Sequence, residues 1–109
     1  MITREEFEDT LKEMASLCDK IADAGEQVSL LSKQEKALIA ELKNQCNEKS
    51  NAAKEDFAYD SSAYRDHIEK FANARRKELY FDARQEYLNK VFEAYRTDRA
   101  DVRAVTKGL

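Results

Sequence analysis

Phe7-Glu8-Asp9-Thr10-Leu11-Lys12-Glu13-Met14-Ala15-Ser16-Leu17-Cys18-Asp19-Lys20-Ile21, residues 7–21, is the stretch whose reading decides the fold. Phe7, Leu11, Met14, Cys18 and Ile21 recur at alternating intervals of four and three, and the alternation runs on through Gly25, Val28, Ser32, Glu35, Ile39, Leu42 and Cys46. A mean period of about 3.5 residues keeps one stripe of a helix facing a partner helix, so the pattern predicts a long heptad-patterned helix. Its start is marked by Thr3-Arg4-Glu5-Glu6, a capping box in which the Thr3 hydroxyl and the Glu6 carboxylate satisfy each other's free backbone N–H groups. Ile2 and Phe7 flank it as a hydrophobic staple.

The same rule finds a second seam downstream: Phe57, Asp60, Tyr64, His67, Phe71, Ala74, Glu78, Phe81, Gln85, Leu88, Phe92, Tyr95, Arg99 and Val102. At about 1.5 Å rise per residue the two seams measure roughly 58 and 68 Å, close enough in length to lie side by side. Asn47-Glu48-Lys49-Ser50-Asn51 separates them, and Asn and Ser favour turns because their side chains compete for local backbone bonds. The predicted fold is all-α: an antiparallel helical hairpin whose paired residue numbers sum to about 103. It forms a single helical domain over 1–109, with a helix at about 4–47, a turn at about 47–51 and a helix at about 57–106.

A competing reading breaks these helices. Gly25 can stop a helix as a left-handed residue, and Ser32-Lys33-Gln34-Glu35 is a further capping box, which together would split the first half near 25–32. Asp60-Ser61-Ser62 can likewise cap the last helix near 59–62 and leave 51–59 as a connector. Continuous helices are preferred because the alternation passes through Gly25 in phase.

Composition agrees with long helices. The chain has no proline, two glycines and 38% charged residues, and proline and glycine are the principal helix breakers. Apolar residues also occur off the seams: Leu17, Leu30, Leu31 and Leu38 in the first helix, and Ile68, Leu79, Tyr80, Tyr87, Val91 and Ala94 in the second. They widen the apolar stripe beyond what one partner helix covers, which predicts assembly into a dimeric helical bundle or docking on another protein.

Several function classes are disfavoured. The first residues lack the basic and apolar regions of a secretory signal, and no stretch is apolar enough to span a bilayer. With only two cysteines, the expectation is a cytoplasmic protein with reduced thiols and no membrane association. Cys18 and Cys46 would stand about 42 Å apart on one continuous helix, too far to bridge, and read as small buried hydrophobes. His67, the only histidine, lies on the seam and has no Glu-x-x-His partner, so it reads as a core residue and no metal or other cofactor is expected. Glycine-rich phosphate loops need more glycine than the chain contains. Glu5, Glu6 and Asp9 resemble half of the acidic motif pair used by all-α nucleotide pyrophosphohydrolases, but no matching acidic pair follows at the expected distance. These residues are better explained as anions favoured at a helix N-terminus, and the chain is read as not an enzyme.

Two surface patterns remain. Tyr80, Arg84, Tyr87 and Val91 recur at four, three and four residues, with Ala94 and Tyr95 extending the patch. Tyrosine and arginine are enriched at interface hot spots, so Tyr80, Arg84, Tyr87, Val91 and Tyr95 are the candidate contact with another protein or with a second copy in a homodimer. The alternative is packing on the chain's own first helix. Arg96, Arg99, Arg103 and Lys107 form a basic stripe, the candidate contact for the alternative function of a nucleic-acid-binding accessory protein. Acidic residues dilute that stripe: Asp98 and Asp101 lie within it, and the hairpin would bring Glu5, Glu6, Glu8 and Asp9 alongside. The expected function is therefore a non-enzymatic protein–protein interaction module, an oligomeric helical adaptor or small inhibitor. Phage-encoded inhibitors of host enzymes and secretion chaperones are analogous in class only.

Overall fold

A computed structural model describes residues 2–108, so Met1 and Leu109, the two ends of the expected domain, lie outside the described residues. Among the described residues the chain is all-helical and has no strand: α1 spans Arg4–Gln45, α2 Asn51–Asp60 and α3 Ser62–Gly108.

The start of every helix and the end of α2 have a local cause. At the start of α1 the Thr3 N–H donates to Glu6 Oε2 at 3.3 Å and the Glu6 N–H donates to Thr3 Oγ1 at 3.1 Å, so the expected capping box is formed. α1 ends at Gln45, and α2 begins where Ser50 Oγ accepts the Ala53 N–H at 3.1 Å. Ser61 then divides α2 from α3. Its backbone is extended, with φ −69° and ψ 149°; its hydroxyl donates to the Ala58 carbonyl at 2.8 Å and accepts the Tyr64 N–H at 3.1 Å. One serine thus satisfies the orphan groups of two helix ends.

The expected helix from about residue 57 is corrected accordingly: the break near 59–62 exists, and the segment before it is itself helical. No break occurs near 25–32. Gly25 lies inside α1 and no glycine among the described residues has positive φ, which is the condition a left-handed helix stop requires.

Burial corrects half of the first seam. Phe7, Met14, Ile21, Val28 and Leu42 are half-buried or buried as expected, but the alternate positions move one residue towards the N-terminus. Thr10, Leu17, Ala24 and Leu31 are buried, whereas Leu11, Cys18 and Ser32 are exposed. Both choices flank the shared positions on a helical wheel, and apolar area decides between them: burying Leu17 and Leu31 removes more hydrocarbon from water than burying Cys18 and Ser32. Cys18 is therefore an exposed thiol and Cys46 a half-buried one, not the pair of buried hydrophobes expected. Thr10 meets its own polar requirement by donating its hydroxyl to the Glu6 carbonyl at 2.8 Å.

On α3 the expected positions from Tyr64 to Phe81, and Leu88, Phe92 and Tyr95, are buried or half-buried. Arg84 and Asp98 replace Gln85 and Arg99 on that side, and Phe57 in α2 and Val102 in α3 are exposed.

The chain divides into two compact units, Met1–Ala22 with Leu79–Leu109, and Asp23–Glu78. In the first, the Phe7 ring stacks on Tyr95 with centroids 3.9 Å apart and planes 10° from parallel, and it also meets Phe92 at 5.4 Å. Further along α1, Glu13 pairs with Arg84. Partner numbers fall as α1 numbers rise, so the two segments run antiparallel.

In the second unit the Tyr64 hydroxyl donates to Glu35 Oε1 at 3.2 Å, and Lys43 Nζ reaches Glu55 Oε1 at 3.4 Å. Tyr59 stands edge-on to Tyr64 with centroids 5.0 Å apart. Partial burial and the Glu35 carboxylate both raise the Tyr64 phenol pKa, since each disfavours the phenolate.

Candidate interaction face

The tyrosine and arginine stripe is positioned by α3, whose turns place Tyr80, Arg84, Tyr87 and Val91 on one side. The structure divides their roles. Tyr95 is taken up by its stack on Phe7 and is half-buried, and Val91 is half-buried. Tyr80 and Tyr87 keep 63% and 54% of their surface in solvent, too much for residues that serve the chain's own core.

Arg84 lies between them and is fixed. Its Nη2 donates to Glu13 Oε1 at 2.7 Å and its Nε donates to Glu13 Oε2, giving the two-pronged pairing that a planar guanidinium makes with a carboxylate. The guanidinium carbon also stands 5.1 Å from the Tyr87 ring centroid, a cation–π contact. The Arg84 hydrogen bonds hold the Glu13 carboxyl below its ordinary value of 4.5, and the same bonds raise Arg84. The result is a pre-set arginine between two solvent-facing phenols.

The Glu13–Arg84 pair was not anticipated from sequence, although the hairpin register contains the signal. It places residue 13 of one helix within two turns of residue 84 on the other, with opposite charges.

The basic stripe lies beside the first turns of α1, with Arg96, Arg99 and Arg103 around Phe7 and Arg99 sharing a groove with Glu8, but its ion pairs are not the expected ones. Arg96 Nη1 reaches Glu93 Oε1 at 3.5 Å within its own helix, and its guanidinium lies 5.8 Å from the Phe92 ring centroid. Glu8 pairs with Arg4 at 3.3 Å, and the Asp98 carboxylate accepts the Ile2 N–H at 3.5 Å. Among the described residues no ion pair joins Glu5, Glu6, Glu8 or Asp9 to Arg96, Arg99 or Arg103, and Lys107 is likewise unpaired. The expected direct pairing between the two helices is not formed among the described residues, and Glu8 and Arg96 instead contact partners on their own helices.

An open groove of about 730 Å³ lies beside this end of the first unit, lined by apolar Phe7, Leu11, Tyr95 and Val102 and by both acidic and basic side chains, Glu8 and Asp98 with Arg4 and Arg99. His67 is half-buried in the second unit and borders a shallower depression with Asp66 and Lys70. Among the described residues no cluster of three or more His, Cys, Asp or Glu is arranged to hold a metal ion, and no helix is long and apolar enough to cross a membrane. Comparison with protein-family models, with characterised proteins and with solved structures gives no match.

Proposed function

We propose that this chain is a non-enzymatic protein–protein interaction module, a cytoplasmic helical adaptor or small inhibitor that works by offering one face of an antiparallel coiled-coil hairpin. The observation that carries the reading is the exposure of Tyr80 and Tyr87 on either side of an Arg84 that Glu13 already holds in place. Exposed tyrosines bring large contact area at little conformational cost, and a pre-ordered arginine loses less freedom on binding.

Truncation of Tyr87 to alanine tests it. Association should weaken by more than about 1 kcal/mol, as hot-spot truncations do, with helix content nearly unchanged. If Tyr87→Ala instead melts the isolated chain and leaves association intact, Tyr87 serves the fold and the reading fails.

A second reading has its own support in Arg99, Arg103 and Lys107, which have no ion-pair partner among the described residues, and this favours a nucleic-acid-binding accessory role for the end of α3. Phosphate contacts would make binding fall steeply as salt rises. Failure to bind labelled single- or double-stranded DNA or RNA at low salt removes it.

A further inference from the structure

The face that carries Tyr80 and Tyr87 is two strips of opposite character lying side by side within the first unit. One strip belongs to α1. Glu6, Asp9 and Glu13 are three and four residues apart, so they share one side of the helix, and Glu13 locates that side next to Arg84. The other strip belongs to α3, where Tyr80, Ala83, Arg84, Tyr87, Lys90, Val91 and Ala94 follow at helical spacing without an acidic residue among them. Glu6, Asp9 and Lys90 are exposed. Among the described residues Lys90 pairs only with Glu86, at 3.8 Å with both side chains about three-quarters exposed, so it remains available to another carboxylate.

Resting on the interaction reading above, we propose that the occupant of this face is a second copy of the same chain, related by a two-fold axis parallel to the helices, so that the acidic strip of each copy covers the basic aromatic strip of the other. A rotation about such an axis exchanges the strips left for right and preserves height along the helices. It therefore sets opposite charges together on both sides of the axis at once. A uniformly acidic or uniformly basic partner would match one strip and oppose the other with like charge. The chemistry agrees beyond net charge, because Tyr87 carries a phenolic donor and the facing strip carries carboxylate acceptors at its level.

The register follows from contacts inside one copy. Glu13 is level with Arg84, and Phe7 is level with Phe92 and Tyr95. Asp9, between Phe7 and Glu13, is thus level with the segment from Tyr87 to Val91. Preserved height brings the partner's Asp9 over Lys90 and Tyr87, and the product is a four-helix assembly with an isologous interface.

Sedimentation velocity on the full chain across a concentration series, with helix content followed by circular dichroism, is the deciding measurement. The wild-type chain should dimerise, and Tyr87→Ala should raise the dissociation constant about tenfold or more. Asp9→Lys and Lys90→Asp should each weaken the dimer, and the two together should restore much of it because the reversed pair attracts again. Restoration cannot come from a folding defect, so the cycle remains informative even if one single variant is unstable. A chain that stays monomeric overturns the second copy as occupant, and so does a dimer indifferent to the Asp9 and Lys90 reversals. The interaction reading is tested separately: a monomeric wild type that binds a different protein through Tyr87 would preserve it, and absence of any association would end both.

Discussion

Leu17 and Cys18 are neighbours in sequence and opposites in environment, which makes them the sharpest probe of how α1 is oriented. Leu17 is 3% exposed, whereas Cys18 lies in solvent. Removing a buried leucine side chain to alanine costs about 2–5 kcal/mol, the upper end applying where a closed cavity is left behind. Met14 and Ile21, one turn to either side, are only half-buried, so water or side-chain movement can fill the space. The lower part of the range, about 2–3 kcal/mol, is therefore expected for Leu17→Ala. For a domain of this size each kcal/mol moves the melting temperature by about 4–8 °C, so Leu17→Ala should lower it by roughly 10–20 °C. Cys18→Glu places a charge one residue away and should stay within about 0.5 kcal/mol of the parent, as exposed substitutions do. The assay is thermal and urea unfolding by circular dichroism at one fixed chain concentration. A Cys18→Glu variant destabilised as much as Leu17→Ala would refute the assigned orientation and restore the seam through Cys18.

Three further outcomes follow from local geometry. Ser61→Ala removes the cap of α3 and should cost about 0.5–2 kcal/mol, read from the urea midpoint; Ser61→Asp, which retains an acceptor for the Tyr64 N–H, should recover part of the loss. Because pairing with Arg84 depresses the Glu13 carboxyl, its contribution to stability is present above the ordinary value of 4.5 and is lost as pH falls through the lower folded-state value; Glu13→Gln should flatten that part of an acid titration of stability. In the native protein Cys18 should react with a maleimide faster than the half-buried Cys46, a ranking that mass spectrometry of partially labelled chain can check.

How much of this was legible in the sequence depends on the kind of signal. The Thr3-to-Glu6 box, the all-helical class and the α3 positions from Tyr64 to Phe81 could be read directly, because capping and heptad spacing are local and repeated. The first seam was half legible. Phe7, Met14, Ile21 and Val28 fit either neighbouring register, and both registers alternate three and four, so spacing alone does not choose Leu17 and Leu31 over Cys18 and Ser32. The break at Ser61 was visible only as a competing cap, since the apolar phase carries across it. The division of the aromatic stripe was not visible: spacing puts Tyr80, Tyr87 and Tyr95 on one helix, but whether Phe7 reaches a given tyrosine depends on the register between helices. The charge pairing expected at the chain's two ends failed for a related reason. Intrahelical partners three or four residues away are available in any register, and Glu93 for Arg96 and Arg4 for Glu8 are two such contacts.

Gly25 separates the two descriptions of the first half of the chain most cleanly, because they predict opposite signs for one substitution. Inside a continuous α1 the glycine has helical backbone angles, and a Cβ added there would stand 3.6 Å from Glu78 Oε2, an ordinary van der Waals contact with the flexible end of a side chain. Alanine then fits without displacement and removes the conformational freedom that glycine confers on the unfolded chain. Gly25→Ala should stabilise the protein by about 0.5–1 kcal/mol, a rise of several degrees in melting temperature. Were Gly25 instead the left-handed residue that stops a shorter helix, alanine would be forced into a disfavoured backbone region and the variant would lose about 1–2 kcal/mol. Unfolding of the two proteins side by side distinguishes the cases by the direction of the shift. A loss of stability, with the loss deepening for the β-branched Gly25→Val, would show that α1 does not pass through residue 25 in solution.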